Sequence, residues 1–161
     1  MTDRFRVVPA AYVVLRRDGG AGADGVGRGQ VLLQLRRGTG YMDGHWATAA
    51  AGHVEEGEPV FAAACREAAE ELDVRIDPGD LTPITVMHRT QGNHLAVDER
   101  VDFFFECRRW QGDPRLVEPD KAADLRWFAL DALPEPLVPH ERYVYEALRG
   151  GGLPGITAYG F

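Results

Sequence analysis

Residues 52–74 read GHVEEGEPVFAAACREAAEELDV, and the spacing inside this stretch decides what the rest of the chain is built around. Pro59 suits a first helical turn, where its missing N–H costs nothing, and the pattern predicts a helix from there to about Leu72. At roughly 100° per residue, Glu67, Glu70 and Glu71 fall within an arc of about 100° on that helix. Phe61, Ala64, Cys65, Ala68 and Leu72 form a neighbouring apolar arc. One face packs while the next gathers negative charge. Like charges three and four residues apart repel, so the array is a poor choice for stability alone. A solvated acidic face is the commoner fate of helical glutamates, but a hard divalent cation turns the repulsion into ligation. Carboxylate oxygens suit Mg2+, with Mn2+ as the alternative, and Mg2+ usually arrives with substrate phosphates completing its shell.

Outward from the helix, strand-like segments dominate. Residues 10–16 and 31–35 read as short strands rich in valine and leucine, and 46–48 as another just before the quoted stretch. Residues 84–89 and 101–107 read as a longer pair, and 125–128 as a further short strand. A second helix is expected over 140–149, with Tyr143, Val144, Ala147 and Leu148 as its apolar positions. Residues 18–29, DGGAGADGVGRG, read as a flexible glycine-rich hairpin loop; no lysine closes it and no helix pattern follows, so it is not a P-loop. The tail 150–161 is expected to fray. The implied class is α/β in the broad sense, α+β in detail, as a single domain over residues 1–161.

Composition limits the function classes. With 161 residues, 45% of them hydrophobic, the chain can bury one sizeable core and would be cramped as two domains. A net charge of −7 with no long basic run argues against nucleic acid as partner. No stretch is apolar enough to span a bilayer, and the opening MTDRFRVVPA lacks a signal-peptide core, which makes no membrane partner and a cytoplasmic location the default expectations. Cys65 and Cys107, on a helix core face and in a strand, read as free thiols. The five histidines show no zinc-like spacing. Phe103, Phe104 and Phe105 cannot all point inward from one strand, so one is free to stack on a base while the rest pack.

Gly52, Glu58, Arg66, Glu67, Ala68, Glu70, Glu71 and Val74 resemble the Nudix box, G-x5-E-x7-R-E-U-x-E-E-x-G-U with U aliphatic, at eight of nine fixed positions. Asp73 departs from it where glycine is usual; aspartate tolerates the left-handed conformation better than most residues, so a modest stability cost is expected and not a lost activity. Ala49, Ala50 and Ala51 replace the Pro-Gly common before the box, yet a backbone carbonyl at Ala51 needs no particular side chain to serve as a metal ligand. The segment 118–128, EPDKAADLRWF, is similar to the corresponding one of family members acting on nucleoside triphosphates, including those that remove damaged purine nucleotides.

The resemblance implies an α/β/α sandwich with a mixed central sheet and cleavage of a phosphoanhydride by water. It implies a metal cluster of Glu67, Glu70 and Glu71, with Glu118 and the Ala51 carbonyl. Glu67 and Glu118 compete as base, Arg66 orients a neighbouring carboxylate, and Glu58 stabilises the loop before the helix. Arg36, Arg37 and Lys121 are candidates for phosphate contact, and Tyr41, His45 and Trp46 for the wall of a base pocket. The leading expectation is a Mg2+-dependent enzyme converting a (d)NTP, a small-molecule nucleotide, to the monophosphate and pyrophosphate. A pyrophosphatase for nucleotide sugars or ADP-ribose-type dinucleotides is one alternative, and a non-enzymatic nucleotide-sensing module is another, though such modules usually erode the box carboxylates. A homodimer is left open.

Overall fold

β1 (Val8–Arg17) is the strand on which the layers are organised, because its side chains alternate between two cores. Ala11, Val13 and Leu15 join Ala63, Ala64, Ala68 and Leu72 of α1 (Val60–Leu72). Ala10, Tyr12 and Val14 join Val144 and Tyr145 of α2 (Pro139–Gly150). This follows from the two-residue period of a pleated strand and places a helix on each face, which is the expected α/β/α arrangement. The computed structural model describes residues 4–20 and 28–161.

The remaining strands are β2 (Gln30–Arg36), β3 (Trp46–Thr48), β4 (Ala50–His53), β5 (Leu81–Arg89), β6 (Arg100–Cys107), β7 (Ala122–Ala129) and β8 (Ile156–Tyr159). The sheet order is β3-β2-β1-β6-β5-β8, with β4 paired to β1 and β7 to β2. Parallel pairs β1/β6 and β5/β8 sit among antiparallel ones, so the sheet is mixed, as expected. Phe103 and Phe105 pack on the α1 side and Phe104 on the other, stacked on Tyr12 at 4.4 Å between ring centres; all three serve packing and none is offered to a base.

Four readings change. β4 was not expected from Ala-Ala-Gly-His, which is poor in strand formers; it is recruited by pairing along β1 from Ala10↔His53 to Val13↔Ala50. The tail 150–161 does not simply fray, since Ile156–Tyr159 forms β8 against β5, and backbone N–H groups of Val86 and Thr90 donate to Gly155 and Tyr159. The glycines before it hid a strand that supplies hydrogen bonds to an otherwise open edge. On α2 the buried face is His140, Glu141, Val144 and Tyr145, while Tyr143 is exposed; Tyr145 turns inward because its hydroxyl has a buried partner in Thr48 Oγ1 at 2.8 Å. On α1 the buried strip is turned toward Ala63 and Glu67, leaving Phe61 largely exposed.

Residues 21–27 of the expected flexible hairpin lie outside the described residues; its flanks pair as Arg16↔Val31 and Arg17↔Gln30. Cys65 and Cys107 are free thiols. Among the described residues no helix is long and apolar enough to cross a membrane.

α1 ends at Asp73, which adopts φ 56° and ψ 35° while its N–H donates to the Ala69 carbonyl. Its carboxylate meets Arg115 at 2.8 Å, but both side chains are mostly exposed, so the pair returns little of the backbone cost. Asp73→Gly is therefore expected to stabilise the fold by about 0.5–1 kcal/mol, a rise in Tm of roughly 2–4 °C by calorimetry, with unchanged activity.

Candidate active site

The site begins with a missing side chain. Alternation along β4 sends the Cα substituent of Gly52 toward α1, where a Cβ would stand 2.2 Å from the Glu67 carboxylate. Gly52 is needed here for room and not for a left-handed backbone, since its φ is not positive. Glu67 is thereby seated between strand and helix and is only 9% exposed, although it is a carboxylate on an acidic helix. Burial pushes its carboxyl up, opposed by the hydrogen bond and charge of Arg66 and reinforced by Glu70 and Glu58.

Arg66 is the hub of the helix start. Its Nε and Nη2 meet the two oxygens of Glu58 at 2.8 and 3.0 Å, a fork-to-fork pair that lysine does not reproduce. Nη1 reaches Glu67 at 2.8 Å and Glu70 at 3.1 Å, and Nη2 also donates to the His53 carbonyl at 3.0 Å, tying α1 to β4. The Arg66 hydrogen bond holds the Glu58 carboxyl below its ordinary range, assisted by the Glu55 backbone. Glu58 also accepts a hydrogen bond from the Glu55 N–H at 3.0 Å, within the loop before the helix.

Glu71 lies deeper. Its Oε2 accepts the Ala51 N–H at 2.9 Å, and burial raises its carboxyl to about 8, against the Ala51 hydrogen bond and with Glu67 and Glu118 adding to the rise. The loop carrying Glu118 is moored to the end of α1: Arg115 N–H donates to the Leu72 carbonyl and Val117 N–H to the Glu71 carbonyl. These bonds satisfy orphan carbonyls of the helix terminus and bring a distant glutamate into the electrostatic field of Glu71. Lys121 Nζ pairs with Glu118 at 2.9 Å, and its charge is favoured first by Glu118 and then by Glu71 and Glu67.

Glu67, Glu70, Glu71 and Glu118 are hard oxygen donors with more negative charge than nearby Arg66 and Lys121 offset, a donor set suited to Mg2+. Among the described residues no three His, Cys, Asp or Glu side chains form a ready-made cage. The hydrogen bonds give the reason: Glu67 and Glu70 are turned to Arg66, and Glu71 to Ala51.

Beside this cluster, on the α2 side of β4, opens a cavity of about 450 Å³ bordered by Ala51, Gly52 and His53. Arg36, Arg89 and Arg100 line it together with Tyr41 and Glu141. Arg36 is held by the Tyr41 carbonyl at 2.8 Å and Thr39 Oγ1 at 3.0 Å. Glu141 accepts from the Thr48 backbone N–H and from Thr48 Oγ1 at 2.8 Å, and burial raises its carboxyl to about 7.

The structure thus gathers Ala51, Arg66, Glu67, Glu70, Glu71, Glu118 and Lys121 around one end of α1, and Arg36 and Tyr41 at the cavity. It sets two others apart. Trp46 is core, packed edge-on against Phe128 at 4.7 Å, because β3 turns it into the apolar cluster with Leu130 and Leu137, and His45 does not line the cavity. Arg37 is exposed at the margin, fastened to the Glu118 loop by its side chain on the Pro119 carbonyl and its N–H on the Lys121 carbonyl at 2.9 Å. Arg89, Arg100 and Glu141 were missed because single charges at the ends of apolar patterns look like surface residues. Asp102 was the available signal: it sits at an inward position of a strand reading RVDFFFEC and is fully buried.

A family model described as the NUDIX domain matches residues 7–148. No functionally curated protein matches the chain in sequence. Among solved structures, a MutT NUDIX hydrolase from Burkholderia pseudomallei is 31% identical, with 88% of this chain and 98% of that chain covered and a TM-score of 0.72. Two others share the fold at lower identity. RenU, a Nudix hydrolase from M. smegmatis, is 23% identical, with 88% and 83% covered and a TM-score of 0.62. A UDP-X diphosphatase is 17% identical, with 97% and 69% covered and a TM-score of 0.62. The match runs from β1 through α2 and takes in both the acidic helix and the moored Glu118 loop, and on that extent the chain belongs to the Nudix hydrolase family.

Proposed function

We propose that this pyrophosphohydrolase cuts a phosphoanhydride in a nucleoside diphosphate derivative, with a (d)NTP, cleaved to the monophosphate and pyrophosphate, as substrate. The observation that supports it most is Glu71: a part-buried carboxylate beside Glu67 and Glu118, engaged by one backbone N–H and by no cation at ion-pair distance among the described residues. A negative charge drawn out of water and left so is costly unless a ligand completes it. Glu67, Glu70, Glu71 and Glu118, with the Ala51 carbonyl, are the groups assigned to hold Mg2+, or Mn2+ in its place. Bound there, the ion neutralises charge on phosphate oxygens and acidifies water.

The chain's own groups do the rest. Arg66 fixes the orientation of Glu67 and Glu70 from the side opposite Glu58. Glu67 is better suited than Glu118 as base, since each meets one cation but burial raises the Glu67 carboxyl in spite of Arg66 and so favours taking up a proton. Arg36 is the phosphate contact that the cavity supports.

A nucleotide-conjugate pyrophosphatase is the second reading, favoured by the size of the cavity and by its two further arginines beyond Arg36. A phosphate-release screen across (d)NTPs, nucleotide sugars and dinucleotides, with Mg2+ and with chelator, separates the two. Preferred turnover of triphosphates, abolished by chelator, is expected. Tight nucleotide binding without turnover under Mg2+ or Mn2+ contradicts the enzymatic reading.

A further inference from the structure

Arg89 and Arg100 stand directly opposite each other on β5 and β6, at the floor of the cavity. Both are buried, at 5% and 9% exposure, and between them lies a single carboxylate, Asp102, with no exposure at all. Arg89 Nε donates to Asp102 Oδ2 at 2.7 Å. Arg100 Nε stands 3.6 Å from Asp102 Oδ1, too far for a hydrogen bond, and both of those atoms are buried without a partner.

Among the described residues no other carboxylate lies within ion-pair distance of either guanidinium. The nearby histidines add no negative charge: His53 Nε2 meets Arg100 Nη1 at 2.8 Å, and His140 contacts the Tyr12 hydroxyl at 3.3 Å. Two fixed cations thus share one anion in a cleft where buried charges are ordinarily matched. Among the described residues Arg89 donates a hydrogen bond only through its Nε, leaving the Nη fork of a cavity-lining residue uncommitted. Glu141 and Asp98 also line the cavity. Glu141 is held at the Thr48 end, and Asp98 accepts from Asn93 Nδ2 at 2.5 Å, so each is fastened to its own wall.

We propose that the Arg89/Arg100 pair, braced by Asp102, is a built oxyanion subsite that grips an acidic group of the substrate, phosphoryl or carboxylate, other than the phosphate under attack. The guanidinium fork matches such a group in a bidentate manner. Its position fits: Arg100 touches His53, the neighbour of Gly52, so the subsite is one residue along β4 from the seat of Glu67. The inference rests on the hydrolase reading for its substrate and gives that substrate a requirement, a second acid on the group that enters the cavity.

Two experiments separate failure of this idea from failure of the hydrolase reading. Inorganic phosphate and pyrophosphate are titrated calorimetrically into metal-free protein in chelator, for the wild type, Arg100→Gln and Arg100→Lys, with thermal melts to show that each variant is folded. Saturable binding weakened about tenfold or more in Arg100→Gln, and partly restored in Arg100→Lys, is expected. Equal affinity in all three, or no binding to the wild type, overturns the proposal whatever the enzyme turns over. In the second, hydrolysis of a nucleotide hexose is compared with that of its uronic acid, and of a nucleoside diphosphate with the triphosphate. The more acidic member of each pair should lose its advantage in KM in Arg100→Gln while kcat changes little. Parallel changes for both members contradict it.

Discussion

Glu71→Gln is expected to lower turnover by about a thousandfold, a loss of roughly 4 kcal/mol of transition-state stabilisation, while the protein remains folded. The substitution removes charge with almost no change in volume, and the Ala51 N–H retains an oxygen acceptor at the same place. Stability should move the other way. The Glu71 carboxyl is raised to about 8 from an ordinary value of 4.5, so the folded state holds its proton over a range where the unfolded chain has lost it. A group shifted upward favours the fold at low pH, and that contribution drains away as pH climbs from about 4.5 toward about 8. Metal-free wild type should therefore lose Tm across this window, and Glu71→Gln should lose less. Melting curves at pH 5 and pH 8 in chelator, beside steady-state rates in Mg2+, check both halves. A variant with near-normal rates removes Glu71 from the metal assignment.

Gly52→Ala is the second large effect, and it comes from a single methyl group. A Cβ at this position would overlap the Glu67 carboxylate at 2.2 Å, far inside any contact between non-bonded heavy atoms. The strand is pinned by four register pairs to β1, so the flexible end of Glu67 must yield. The displaced carboxylate leaves Arg66 Nη1 and its seat on β4 together. Misplacing a catalytic group by about 1 Å costs on the order of a hundredfold, and a loss of that size is expected in kcat with little change in far-ultraviolet circular dichroism. Activity within a few-fold of wild type would mean that the orientation of Glu67 does not matter to the chemistry.

Much of this is legible in the sequence, and the reason differs from element to element. α1 could be read because its glutamates and small apolar residues follow the helical period, and Asp73 because few residues accept a left-handed backbone. β1 and β6 carried dense apolar patterns. β4 could not be read, since alanine, glycine and histidine have little strand preference and it is a strand only through β1; β8, although Ile156, Thr157 and Tyr159 favour strands, is four residues long and was hidden behind the glycines before it. The same holds at the site. The resemblance implied that Arg66 would orient a neighbouring carboxylate and that Glu58 would steady the loop; that the two meet in one fork comes from the structure. The mooring of Glu118 depends on backbone bonds from residues 115 and 117 to the end of α1, which no periodicity encodes. Trp46 was misjudged because nearness to the box along the chain does not fix which way a ring points, and β3 turns this one into the apolar core. Arg89, Asp102 and Arg100 were overlooked because their charges come together only when β5 and β6 are side by side.

The central claim is that the carboxylates around the end of α1 exist to hold a divalent cation. Calorimetric titration of Mg2+ into metal-free wild type and Glu71→Gln tests it without reference to any substrate. Saturable binding to the wild type, accompanied by proton release at pH 7 and lost or greatly weakened in the variant, is the predicted outcome. Identical titrations of the two proteins, or no binding to either, would contradict it.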